Sequence, residues 1–122
     1  MREFRKMNNT LFVVRDTETA EMNAAQPAKF PVGELIAMQR SAQDQNSEDS
    51  QASIGIWESS PGKFKRFLPN REFSHILQGW CVFTPEGGEP VELRAGDAVL
   101  FPANCQGEWD IKEDFRKTYC LF

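Results

Sequence analysis

Glu72-Phe73-Ser74-His75-Ile76-Leu77-Gln78-Gly79 and, a short distance on, Gly96-Asp97-Ala98-Val99-Leu100-Phe101-Pro102 are the two segments that set the fold class. Each is a brief, largely apolar run marked off by turn-forming residues: a Glu with a Gly after six intervening residues, and a Gly-x5-Pro. Neither is long enough for a stable helix, and neither carries helical periodicity, so both read as strands.

The same texture continues over the second half of the chain. Ser53–Glu58, Lys63–Leu68, Trp80–Thr84, Pro90–Arg94, Gly107–Ile111 and Arg116–Phe122 are further short runs, rich in Val, Ile, Phe and Trp and separated by Gly, Pro and Asn. Short strands at this spacing argue for an antiparallel sandwich or barrel. The turns carry a mechanism. Glu86-Gly87-Gly88-Glu89 and Ala95-Gly96-Asp97 supply the positive φ that tight connections need, and Ser60-Pro61-Gly62-Lys63 has the Pro-Gly pair of a type II turn.

The first half is less regular. Leu11–Val14 and Gly33–Gln39 are β-like, and Thr17–Ala25 reads as a helix turn or a loose arm. Ser41–Ser53, with Ala42 and Ala52 its only apolar members, reads as a flexible loop. The expected organisation is a single domain: residues 1–50 as an extension with one or two strands and a polar loop, and residues 51–122 as the barrel core.

Composition bounds the function. A chain of 122 residues, 40% hydrophobic and 26% charged, is one globular domain. A net charge of −4, with only the brief Arg2, Arg5, Lys6 cluster as a basic stretch, gives nucleic acid no footprint. No apolar run approaches the roughly 18 residues of a membrane span, and no signal-peptide core precedes Arg15 and Asp16. Cys81, Cys105 and Cys120 are odd in number and scattered, which reads as reduced thiols and a cytoplasmic protein.

The order and spacing of the two deciding segments resemble motifs 1 and 2 of the cupin superfamily, the RmlC-like jelly rolls. Gly55-x-Trp57-Glu58, Pro61-Gly62, Gly107-Glu108-Trp109 and Arg116-Lys117-x-Tyr119 narrow the likeness to the DUF861 or Cupin_3 branch, which is named after ureidoglycine aminohydrolase and includes ethanolamine-utilisation cupins. The likeness covers residues 54–122. It implies an all-β double-stranded β-helix. It also implies a metal held by a His-x-His pair, a Glu and a later His, and here only the Glu, Glu72, is present. The pair falls on Arg66 and Leu68, or on Lys65 and Phe67 in a longer spacing; the later His falls on Gly107 and the turn Gly on Asn104. With one histidine in the whole chain, a His-rich site cannot be built. No cofactor is expected, a divalent metal at Glu72 being the disfavoured alternative.

Candidate site residues follow. Glu72 should point into the barrel, where a carboxylate must be paired, hydrogen-bonded or protonated. It is the candidate catalytic group; otherwise it is a barrel-mouth Glu paired with Arg66, Arg71 or Lys117. Trp57 and Trp109 are candidate pocket walls or core. His75 is a candidate binding residue, although strict alternation puts it with Phe73 and Leu77 on the face opposite Glu72. Lys117 and Tyr119 share one face of the last strand, interior near Glu72 or exterior and solvated. Cys81 and Cys105 are structural, since no partner His is implied.

The expected function is a small-molecule-binding cupin that lacks the usual His ligands and holds a small polar metabolite in the barrel. The alternative is a metal-assisted enzyme of the ureidoglycine aminohydrolase or related amine/amide type. A homodimer is expected, with strands from residues 1–40 capping edges of the partner.

Overall fold

The computed structural model describes residues 11–47 and 51–122, so the basic cluster Arg2, Arg5, Lys6 lies outside the described residues. The strands are β1 Gln26–Pro27, β2 Pro31–Val32, β3 Met38–Asn46, β4 Ser53–Ser59, β5 Gly62–Leu68, β6 Glu72–Gln78, β7 Trp80–Pro85, β8 Val91–Arg94, β9 Ala98–Phe101, β10 Cys105–Ile111 and β11 Phe115–Leu121. Among the described residues there is no helix.

Two antiparallel sheets face each other. One runs β1-β3-β4-β11-β6-β9 and the other β2-β5-β10-β7-β8. From β4 onward the chain passes back and forth between the sheets, except at the β7–β8 hairpin. That crossing pattern is the jelly roll expected from the sequence. Period-two alternation produces the interior: on β6, Glu72, Ser74 and Ile76 are buried while Phe73 and His75 are exposed. Phe64, Ile76, Phe83, Phe101, Trp109 and Phe115 fill the space between the sheets. Phe83, Phe101 and Phe115 pack on Trp109 with ring centroids 5.1, 5.6 and 5.9 Å away.

The strands of residues 53–122 follow their sequence boundaries to within two residues. Four expectations are corrected. The polar stretch from Ser41 is strand as far as Asn46, because β3 pairs along β4 and shifts register between Ala42 and Gln45. Its polar side chains then reach the segment before it. Gln43 bonds both the backbone N–H and the carbonyl of Arg15, and Gln45 Nε2 donates to the Val13 carbonyl.

Leu11–Val14 is accordingly not a strand, and Gly33–Ala37 is a bend between β2 and β3 rather than a continuous strand. Thr17–Thr19 forms a single turn, its ends tied by bonds from Thr19 and Ala20 N–H to the Asp16 carbonyl. Gly62 has φ 149°, far from the roughly +80° of a type II turn, since Ser60-Pro61 carries the chain from one sheet to the other.

Residues 13–28 therefore lie along the chain's own β3. Arg116 pins the turn from outside the barrel: Nη1 donates to the Thr17 carbonyl and Nη2 to that of Ala20, while Nε bonds Glu58 at 3.0 Å.

Candidate functional site

Glu72 opens β6 facing inward and sits at one end of the core, 4% exposed. An isolated carboxylate there would be costly, so its oxygens must be occupied. Lys117 Nζ donates to Oε2 at 2.5 Å and Arg66 Nη2 to Oε1 at 2.6 Å; the Ser74 hydroxyl also donates to Oε2. Lys117 and Ser74 come from the same sheet as Glu72, on β11 and β6. Arg66 comes from β5 and joins the two sheets through the carboxylate.

Lys117 faces inward by the plain alternation of β11, which pairs residue for residue along β4; the register shift against β6 leaves Leu77 of β6 as the extra residue. Its ammonium lies within an aromatic cage, with the ring centroids of Trp109, Trp57 and Phe101 at 4.8, 5.0 and 5.6 Å. The Arg66 guanidinium lies 4.8 Å from the Phe101 centroid.

Burial by itself would raise the Glu72 pKa, but the charges of Lys117 and Arg66 and the bonds from Lys117 and Ser74 outweigh it and hold the group below its ordinary value. Lys117 is held below the usual lysine range by burial first and Arg66 second, against the pull of Glu72. Burial, then the bond to Asp44, pushes the Tyr119 hydroxyl up.

Above this floor lies a cavity of about 420 Å³, lined in part by Trp57, Phe64, Trp109 and Tyr119. That volume is within the roughly 300–1,000 Å³ of small-molecule sites. Tyr119 Oη donates to Asp44 Oδ1 at 2.6 Å, and Gly55 leaves room for both; a Cβ there would come 2.7 Å from Oη.

The structure thus brings Glu72, Trp57, Trp109, Lys117 and Tyr119 to one cavity. His75 is not among them. It is exposed on the outer face of β6, opposite Ala98 and Thr118, as alternation from Glu72 dictates. Of the pairing partners considered for Glu72, Arg66 and Lys117 are engaged. Arg71 instead covers the Phe122 ring at 4.4 Å.

Among the described residues no group of three His, Cys, Asp or Glu side chains converges on one point. The residues at the expected ligand positions do not fit a metal. Arg66 and Leu68 are the pair that lean inward on β5, a cation and a hydrocarbon. At Gly107 a Cβ would lie 2.4 Å from Phe83 Cζ, so the Phe83 ring holds the space a side chain would need. Glu72 has already given its oxygens to two cations. Asn104 keeps the turn without glycine by adopting φ 57°.

Residues not singled out from the sequence also belong here. Ser74 alternates with Glu72 and was legible from the pattern. Gln39, Ser41 and Asp44 lay in or beside a stretch with no apolar alternation, which gave no signal.

Cys81 is buried, its thiol pushed up to about 12 by burial, and Cys81, Cys105 and Cys120 are all unbonded. Among the described residues no helix is long and apolar enough to cross a membrane.

No curated protein matches the sequence. Solved structures do. A DUF861-family protein of Pseudomonas syringae pv. tomato superposes with TM-score 0.75 at 21% identity over 86% of this chain, which spans 46% of that protein's length. The EutQ protein of Clostridium difficile superposes with TM-score 0.62 at 17% identity over 70% of this chain and 68% of its own. A DUF861-family protein of Thermotoga maritima is 34% identical over 55% of this chain and 76% of its own, with TM-score 0.54. Residues 46–119, well over half of the chain, match the family described as the EutQ-like cupin domain. The chain belongs to the EutQ-like cupin domain family.

Proposed function

We propose that this chain is a small-molecule-binding cupin of the DUF861 type that works without the usual His-ligated metal and holds a small polar metabolite in the barrel above Glu72. The observation that carries this reading is the joining of an aromatic-walled cavity to a charged floor of Arg66, Glu72 and Lys117. Apolar walls supply burial and the few convergent polar groups supply orientation, the usual division of labour in ligand sites. A purely structural barrel would have no need of polar groups directed at a cavity of this size. The three free thiols suit a reducing, cytoplasmic setting. A metal-assisted reaction of the aminohydrolase kind finds no support in the donor set, because its one carboxylate is saturated by Lys117, Arg66 and Ser74.

A thermal-shift screen of small polar metabolites tests the reading. A ligand at 100 times its dissociation constant adds about 2.7 kcal/mol to stability. That gain should disappear in Trp57→Ala, which removes a wall. A screen that stabilises the wild type and Trp57→Ala equally would place binding elsewhere and refute the proposal.

A further inference from the structure

We infer that the cavity takes a small organic carboxylate with an apolar body, its anionic end received by Arg66 and Gln39. The inference rests on the ligand-binding reading above and adds the sign and shape of the ligand.

Charge is the first ground. The chain as a whole carries −4, yet the cavity is lined by four cations, Lys29, Lys65, Arg66 and Lys117, against the single carboxylate of Glu72. Lys117 and one arm of Arg66 already neutralise Glu72. Neither Lys29 nor Lys65 is ion-paired among the described residues. A cavity basic inside an acidic protein favours an anion and repels an amine.

The second ground is hydrogen bonding. Among the described residues two buried side-chain polar atoms have no partner, Arg66 Nη1 and Gln39 Nε2. Both residues line this cavity and both atoms are donors. Buried donors are nearly always satisfied, and an unfilled one on a charged group carries a penalty that an arriving acceptor relieves. Both atoms are shielded from water, so the acceptor has to come with a ligand that displaces neighbouring side chains. Phe30 and Phe67 line the same cavity and are 66% and 55% exposed, with room to turn aside.

Shape is the third. Arg66 is fixed on one side by Glu72 and held over Phe101, so its remaining donor edge is presented in a set plane. A planar, two-oxygen acceptor matches such a fork. The walls of Trp57, Phe64 and Trp109 would be left unfilled by a bare inorganic anion and are filled by an apolar body.

The test titrates the purified full chain with phenylacetate, cyclohexanecarboxylate and pentanoate, and with the amide and amine analogue of each, following tryptophan fluorescence and calorimetry. At least one carboxylate should bind tenfold or more tightly than its amide and amine, and inorganic phosphate should not compete. Arg66→Gln should weaken that binding at least tenfold. It leaves Glu72 with Lys117 and Ser74, so melting should remain cooperative. Gln39→Glu, isosteric but anionic, should weaken binding by a similar factor and serves if Arg66→Gln does not fold. Amides or amines that bind as well as the carboxylates, or variants that bind normally, would overturn the anion assignment and leave the pocket reading standing. Silence from this panel and from the metabolite screen alike would overturn both.

Discussion

Lys117 Nζ lies 2.5 Å from Glu72 Oε2, inside a cage of Trp57, Trp109 and Phe101 and on the one carboxylate that the family likeness assigns to a metal. Removing a partner from such a pair leaves the other charge buried and uncompensated. Glu72→Gln should therefore destabilise the fold by about 3–5 kcal/mol in urea titration, since it strands Lys117 and Arg66 together. Glu72→Gln with Lys117→Met should recover part of the loss. An unchanged midpoint in the single variant would show that the ion cluster does not support the fold.

The cluster also sets the acid response. The folded Glu72 pKa is below its ordinary 4.5, so its contribution is fully present above that value and is lost as pH falls through the folded value. Lys117 is likewise held below 10.5, and between its folded value and 10.5 the unfolded chain binds more protons, so stability rises with pH there too. Melting temperature against pH should fall on the acid side below 4.5 in the wild type. The Glu72→Gln profile should lack this segment, and a parallel profile would contradict the assignment.

Gly79 is the whole connection between β6 and β7, at φ 77°, and a Cβ there would lie 2.1 Å from the Asp114 carbonyl oxygen. Backbone cannot move aside as a flexible side chain can. Gly79→Ala should cost about 3 kcal/mol or more, from the positive φ and the clash together. Gly87 has φ 75° but open space around it, so Gly87→Ala should cost only about 1 kcal/mol. Equal losses would mean that the close approach at Gly79 is not what constrains it.

We propose that the chain associates as a homodimer. Residues 13–28 are spent on the chain's own β3, so the surface offered to a second copy is the exposed pair Phe73 and Leu100, 48% and 57% accessible, at the open β9 edge. Light scattering should give twice the chain mass at micromolar concentration. Phe73→Glu with Leu100→Glu should give a folded monomer. A wild-type monomer would refute the proposal.

Much of this was legible in residues 53–122 because those strands bury one face, and burial writes itself as alternation. Glu72-Phe73-Ser74-His75 fixes both the inward carboxylate and the outward His75. The strand β3 was not legible: Ala42 is its only buried residue, and its glutamines and Asp44 bond to neighbours far along the chain rather than to a core. The inward turn of Lys117 could not be read locally either. A lysine is buried only if its partner is, and that partner is 45 residues away in sequence. Gly107 looked like a missing ligand; its physical reason, the Phe83 ring, belongs to the adjacent strand β7.

Arg66 and Lys117 neutralise Glu72, the position at which the family likeness expects a metal ligand. Elemental analysis of protein purified without metal-affinity resin, paired with melting in the presence and absence of a chelator, tests it most directly. Well under one equivalent of transition metal per chain is expected, with a melting temperature indifferent to chelation. A stoichiometric metal that is retained by the wild type and lost in Glu72→Gln would contradict it.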